Sequence, residues 1–177
     1  MNNNLYIYYK NIIKSQLLLK LNLNKIDDIP VLQKISLNVY LNPKDDKYLM
    51  YFYNLCALLI LITGKFLVVK SFNKAFEDKK IYLKLSLIKH QMYNFIDMFS
   101  TILLPLFQNY NMPLRLSNFD SFGNYYYQVS YSDPVFTSKN IIISWSALNK
   151  INIIFFIKTN NKYHSFLLLQ YLKFKWY

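Results

Sequence analysis

The sequence predicts an α+β fold, a two-layer sandwich whose antiparallel or mixed sheet carries helices on one face and leaves the other open. Three observations lead there. Apolar residues alternate at period two in "VLQKISLNV" from Val31 and in "IYLKLSLIK" from Ile81. They recur at helical spacing in "NLYIYYKNIIKSQLLLK" and "MYNFIDMFSTILLP". The two kinds of segment follow one another without a strict βαβ rhythm, which disfavours a doubly wound parallel sheet.

Taken in order, Leu5, Tyr9, Ile12, Ile13, Gln16 and Leu17 fall at helical spacing, so the first twenty residues read as an amphipathic helix carrying Lys10, Lys14 and Lys20. "NLNKIDDIP" breaks it. From Val31, Ile35, Leu37 and Val39 point one way and Lys34, Ser36 and Asn38 the other, as in a half-buried strand. After the loop "NPKDDK" comes the strongest apolar run, "YLMYFYNLCALLILITGKFLVV". Its uncharged part, Leu55 to Thr63, is shorter than the ~20 residues a membrane span needs. It reads as a buried helix with Gly64 in the left-handed position after its end and Lys65 beside the negative end of its dipole. No membrane span is expected; the alternative is a small basic membrane protein anchored through residues 49–69.

"KFLVVK" and the charged "NKAFEDKK" lead to the second strand, where Ile81, Leu83, Leu85 and Leu87 alternate with Tyr82, Lys84, Ser86 and Ile88. Met92, Phe95, Ile96, Phe99, Ile102 and Leu103 resume helical spacing until Pro105 disturbs it. Beyond a loop through Pro113, "NYYYQVS" and "INIIFFIKT" read as strands and "KYHSFLLLQYLKF" as a closing helix. There is no repeat or linker, and a chain of this size buries about 70% of its unfolded surface. One domain, 1–177, is expected.

Composition narrows the function. Lys, Asn, Ile, Tyr and Phe dominate, and Arg115 is the single arginine, a bias expected of an A+T-rich gene such as an organellar one. The N-terminal segment has neither the apolar core of a signal peptide nor the arginines of a transit peptide, so if the protein works in an organelle it is expected to be encoded there. The formal net charge is +12 and no acidic residue follows Asp133, a field that attracts polyanions. Seven lysines, Lys70 and Lys74 among them, lie between Lys65 and Lys89.

Chemistry of the catalytic kind finds no foothold. Cys56 is the sole cysteine, which excludes an internal disulfide and a Cys-based zinc site. His90 and His164 have no carboxylate or second histidine at ligand spacing, and the adjacent pairs Asp27–Asp28 and Asp45–Asp46 suit capping or solvation better than acid–base work. Two glycines cannot build a nucleotide loop. Neither enzyme nor cofactor is expected. By contrast, Lys34, Ser36, Asn38, Lys84 and Ser86 would offer ammonium groups to phosphates and hydroxyl or amide groups to ribose and bases. That describes an RNA-binding face, and the pattern fits an ordinary solvated sheet face equally well.

Several segments then become recognisable together. "YYKNIIKSQLLLKLNLNKIDDIPVLQKISLNV" resembles the opening helix, Pro-led turn and first strand of the universal large-subunit ribosomal protein five family, the 5S-rRNA binders of the central protuberance. "LITGK" is similar to that family's S-G-Q-K segment, "MYNFIDMFSTILLP" to its M-Y-E-F-L-D-R-L helix, and "SNFDSFGNYYYQV" to its S-F-D-G-R-G-N-Y-S motif. Order and spacing agree over nearly the whole chain. Gly123 then takes the second glycine of the F-D-G-x-G-N-Y turn, followed by its Asn124, and Gly64 the glycine of S-G-Q-K; Ser121 replaces the first glycine of the former.

The resemblance implies a structural protein of the mitochondrial large subunit, bound to 5S rRNA or large-subunit rRNA, with family contacts falling on Asn38, Lys65 and Ser86. Lys65 replaces a glutamine, exchanging a directional amide for a point charge that favours phosphate. Between Gly64 and Met92 the chain is shorter than the family pattern and lacks the G-F-K-I-R-Q-G loop, so any contact with P-site tRNA is expected to be weakened. The acidic stretch of the bridge to small-subunit protein thirteen is replaced near "PVFTSKNIIISWS". Tyr125 to Tyr127 suit packing better than base stacking.

Overall fold

A computed structural model describes residues 4–41, 53, 56, 60, 68–72, 80–100, 114–130, 150–159 and 161–172. The chain opens with helix α1 (Asn4–Tyr8), a π-helical segment (Tyr9–Ile13) and α2 (Lys14–Lys20). The buried residues are Leu5, Tyr9, Ile13 and Leu17, strictly four apart, while Ile12 and Gln16 are exposed. In a pure α-helix a four-residue step overshoots the turn by roughly 40°, because a turn takes ~3.6 residues. The wider π turn takes up that drift and keeps the row on one face. Leu23 N then donates to Leu18 O and Asn22 N to Leu19 O, with Asn22 at φ 48, which closes α2 by a Schellman motif using asparagine where glycine is usual.

Five strands form one sheet, β1 (Val31–Leu41), β2 (Val68–Phe72), β3 (Lys80–Ile88), β4 (Tyr125–Ser130) and β5 (Lys150–Lys158), in the order β2-β3-β1-β5-β4. β2 and β3 are antiparallel, with Val68 opposite Lys84 and Phe72 opposite Lys80. β4 and β5 are antiparallel too: Asn124 meets Ile157 at one end and Gln128 meets Asn152 at the other. Helices α3 (His90–Met98) and α4 (Lys162–Tyr171) complete the described elements. The fold is α+β, as the sequence predicts. The expected helix before Gly64 lies mostly outside the described residues, although Tyr53, Cys56 and Ile60 are helical. Gly64, Lys65, Lys74, Pro105 and the segment from 131 to 149 also lie outside them.

The chain divides into two compact units, Met1–Ile35 with Leu87–Tyr126 and Ile154–Tyr177, and Ser36–Ser86 with Tyr127–Ile153. In the first, the opening helix packs on α3 through aromatic rings: Tyr6 lies 5.2 Å and Tyr9 5.4 Å from the Tyr93 ring, and Tyr6 meets His90 edge-on at 4.7 Å. Ile13, Leu17, Ile96, Leu168 and Leu169 are fully enclosed there, each contributing about 1.5–3 kcal/mol through burial. In the second unit Leu37, Val39, Leu83, Leu85 and Ile153 are buried, following the period-two pattern of β1, β3 and β5.

Candidate nucleic-acid interface

The alternation that buries Leu37 and Val39 turns Ser36 and Asn38 to the opposite face of β1. Period two predicts that they are solvated there. Instead they are buried, 1% and 8% exposed, and Ser36 Oγ donates to Asn38 Oδ1 at 2.9 Å. Residues two apart on a strand share a face, so this hydrogen bond gives the Ser36 hydroxyl and the Asn38 carbonyl oxygen a local partner and lowers the cost of burying them. On β3, Lys84 and Ser86 are half-buried between the enclosed Leu83, Leu85 and Leu87. Lys70 stands opposite Tyr82 in the β2–β3 ladder.

In the first unit, Lys34 is exposed and its Nζ sits 4.3 Å from the centre of the Phe156 ring on β5. This cation–π contact puts Lys34 and Phe156 on the same face of the sheet. It also fixes the direction of a long flexible side chain whose charge stays in water. Phe156 was not singled out by pattern, because "INIIFFIK" is apolar at almost every position and alternation cannot be read from it.

Two further residues escaped the sequence reading. Gln128 on β4 is exposed, and its Nε2 donates to Asn152 Oδ1 on β5 at 2.9 Å. Each interrupts a run of apolar or aromatic residues, which is the signal that marks it. Their pairing depends on the register between β4 and β5, which neither strand's own pattern encodes.

The glycine turn before β4 is held by one carboxylate. Asp120 Oδ1 accepts from Phe122 N at 2.9 Å and from Asn124 N at 2.7 Å; Oδ2 accepts from Asn124 Nδ2 at 2.8 Å. Asn124 Oδ1 in turn accepts from Ile157 N at 3.2 Å, tying the turn to β5. Gly123, at φ 80, closes it by donating its N–H to Asp120 O. A Cβ there would collide with Thr159 Cγ2 and lie 2.7 Å from Ser165 Oγ. Glycine is required twice over, by conformation and by space.

Tyr125 faces the core at 1% exposed, between Phe119 and Phe155, while Tyr126 is 46% exposed and reaches toward Asp120 Oδ2 at 3.4 Å. Packing therefore accounts for the first of the three tyrosines and leaves the second at the surface.

His90 is exposed beside Tyr6, and among the described residues no group of three or more His, Cys, Asp or Glu could hold a metal ion. Nor is any helix among them long and apolar enough to cross a membrane. Most of residues 49–69 lies outside that search.

No family model matches the chain. A curated relative, the large ribosomal subunit protein uL5 of Francisella philomiragia, is 32% identical over 126 residues, covering 67% of this chain and 68% of the relative.

Proposed function

Because the chain belongs to the uL5 family of large ribosomal subunit proteins, we propose that it is a structural rRNA-binding protein of a mitochondrial large subunit, seated in the central protuberance. The observation that carries this reading is the relative's 32% identity across two thirds of both chains. The +12 charge supports it, since a protein that neutralises rRNA phosphates gains affinity by releasing counterions. Lysines Lys34, Lys65, Lys70, Lys74 and Lys84 supply the phosphate contacts; Ser36, Asn38 and Ser86 fix register on the RNA.

The partners in this reading are 5S rRNA or large-subunit rRNA, with small-subunit protein thirteen across a bridge and a reduced contact to P-site tRNA. Organelle encoding rests on the A+T-type composition and the character of the N-terminal segment. Because Ser36 and Asn38 are buried, their contact with RNA requires that the surface over them open on binding. The role is structural and calls for no catalytic residue.

The test is binding of the full chain to folded 5S rRNA and to large-subunit rRNA, with and without the double substitution Asn38→Ala, Ser86→Ala. Loss of specific affinity is expected. Unchanged affinity in a folded variant would remove both residues from the recognition role.

A further inference from the structure

Outside the positions already assigned, the described part of the sheet carries a pair of hydrogen-bonded neutral groups, the amides of Gln128 and Asn152. Both belong to the second compact unit. An exposed amide–amide hydrogen bond competes with water. Ordering a glutamine costs side-chain entropy that offsets what the bond contributes. The pair therefore adds little to stability, and its consequence is geometric.

With Gln128 Nε2 donating to Asn152 Oδ1, the Gln128 Oε1 acceptor and the Asn152 Nδ2 donor remain wholly for a ligand, together with the second Nε2–H and the second Oδ1 lone pair. One hydrogen-bonded pair thus carries both a donor and an acceptor, the two functions that the edge of a nucleobase presents. A phosphate would use only their donors, whereas a base edge uses donor and acceptor together. The charge of the chain favours RNA as the occupant: the formal net charge is +12, and Lys70, Lys80, Lys84 and Lys150 belong to the same unit as the pair. On RNA, accessible base edges occur in loops and bulges, since the major groove of a duplex is too narrow for side chains.

We propose that Gln128 and Asn152 form a base-reading contact for one unpaired nucleotide of the bound rRNA. This rests on the rRNA-binding reading above and adds to it a sequence-reading site on β4 and β5, distinct from the residues on β1 and β3.

The experiment measures affinity of the full chain for bacterial 5S rRNA and, separately, 23S rRNA, against an unrelated hairpin RNA, for the native protein, Gln128→Ala, and Gln128→Ala with Asn152→Ala. Both side chains lie at the surface of the pair, and far-UV dichroism confirms folding. On whichever rRNA the native chain prefers, the double variant is expected to bind at least ~10-fold more weakly, with hairpin affinity and the salt slope unchanged. One or two loop bases should regain reactivity toward base-specific probes while backbone protection persists. Lys84→Ala should instead lower the salt slope by about 1. Unchanged affinity and unchanged base protection in the double variant overturn the proposal alone. A native chain that prefers neither rRNA over the hairpin overturns the rRNA-binding reading with it.

Discussion

Asn124 is bound to Asp120 through both its backbone amide, at 2.7 Å, and its side-chain amine, at 2.8 Å, so one carboxylate fixes the turn and the asparagine that hands it on to β5. Asp120→Asn is the informative substitution. It keeps an acceptor for the two backbone amides but sets an NH₂ against Asn124 Nδ2, donor facing donor. A loss of about 1–3 kcal/mol is expected in urea unfolding.

Gly123→Ala should cost more than a typical surface change. The left-handed conformation penalises a Cβ by about 1–2 kcal/mol, and its collision with Thr159 adds roughly 1–3 kcal/mol of overpacking. A shift of the urea midpoint at constant slope checks this.

Ser36→Ala should be destabilising by about 1–3 kcal/mol, because it leaves the buried Asn38 Oδ1 without its donor. Ser36→Ala combined with Asn38→Leu removes both polar partners and should cost less than the single change. The inverse order of stabilities would contradict the buried pair.

The Tyr9 hydroxyl is buried without a hydrogen-bond partner, and burial, followed by the neighbouring Tyr6, pushes its pKa up to about 12. Burial also raises Tyr93, whose next contributors are Tyr9 and Tyr6. A raised folded pKa means that folding favours the neutral phenol. That stabilisation is complete below the unfolded value of about 10 and is lost as pH climbs from there through 12. Tyr9→Phe should leave stability at pH 7 unchanged or higher and blunt the decline above pH 10, read as the thermal midpoint against pH.

How much of this was legible depended on what each pattern encodes. Alternation placed Leu37, Val39, Leu83 and Leu85 in the core correctly, because strand geometry alone decides sides. It could not say what covers the opposite side, so Ser36 and Asn38 read as solvated although they are enclosed. The opening helix was legible, but its π turn was not: Ile12 and Gln16 fit an α-helical stripe yet lie outside the four-residue row that is buried. The stop at Asn22 was legible from the change of pattern in "NLNKIDDIP", but its Schellman geometry was not, because asparagine stands where a glycine would announce the motif. Gly123 was legible for the opposite reason, as a rare glycine in a chain that otherwise avoids them. Gln128 with Asn152, and Lys34 with Phe156, needed the register between strands, which no single segment contains.

The central claim is that this chain works as a ribosomal large-subunit protein, and the most direct measurement is sucrose-gradient sedimentation of organelle lysate with crosslinking of the protein to RNA. Sedimentation with the large subunit, release by high salt with EDTA, and crosslinks to 5S or large-subunit rRNA are predicted. Absence from the ribosomal fractions with retention in the membrane pellet would contradict it.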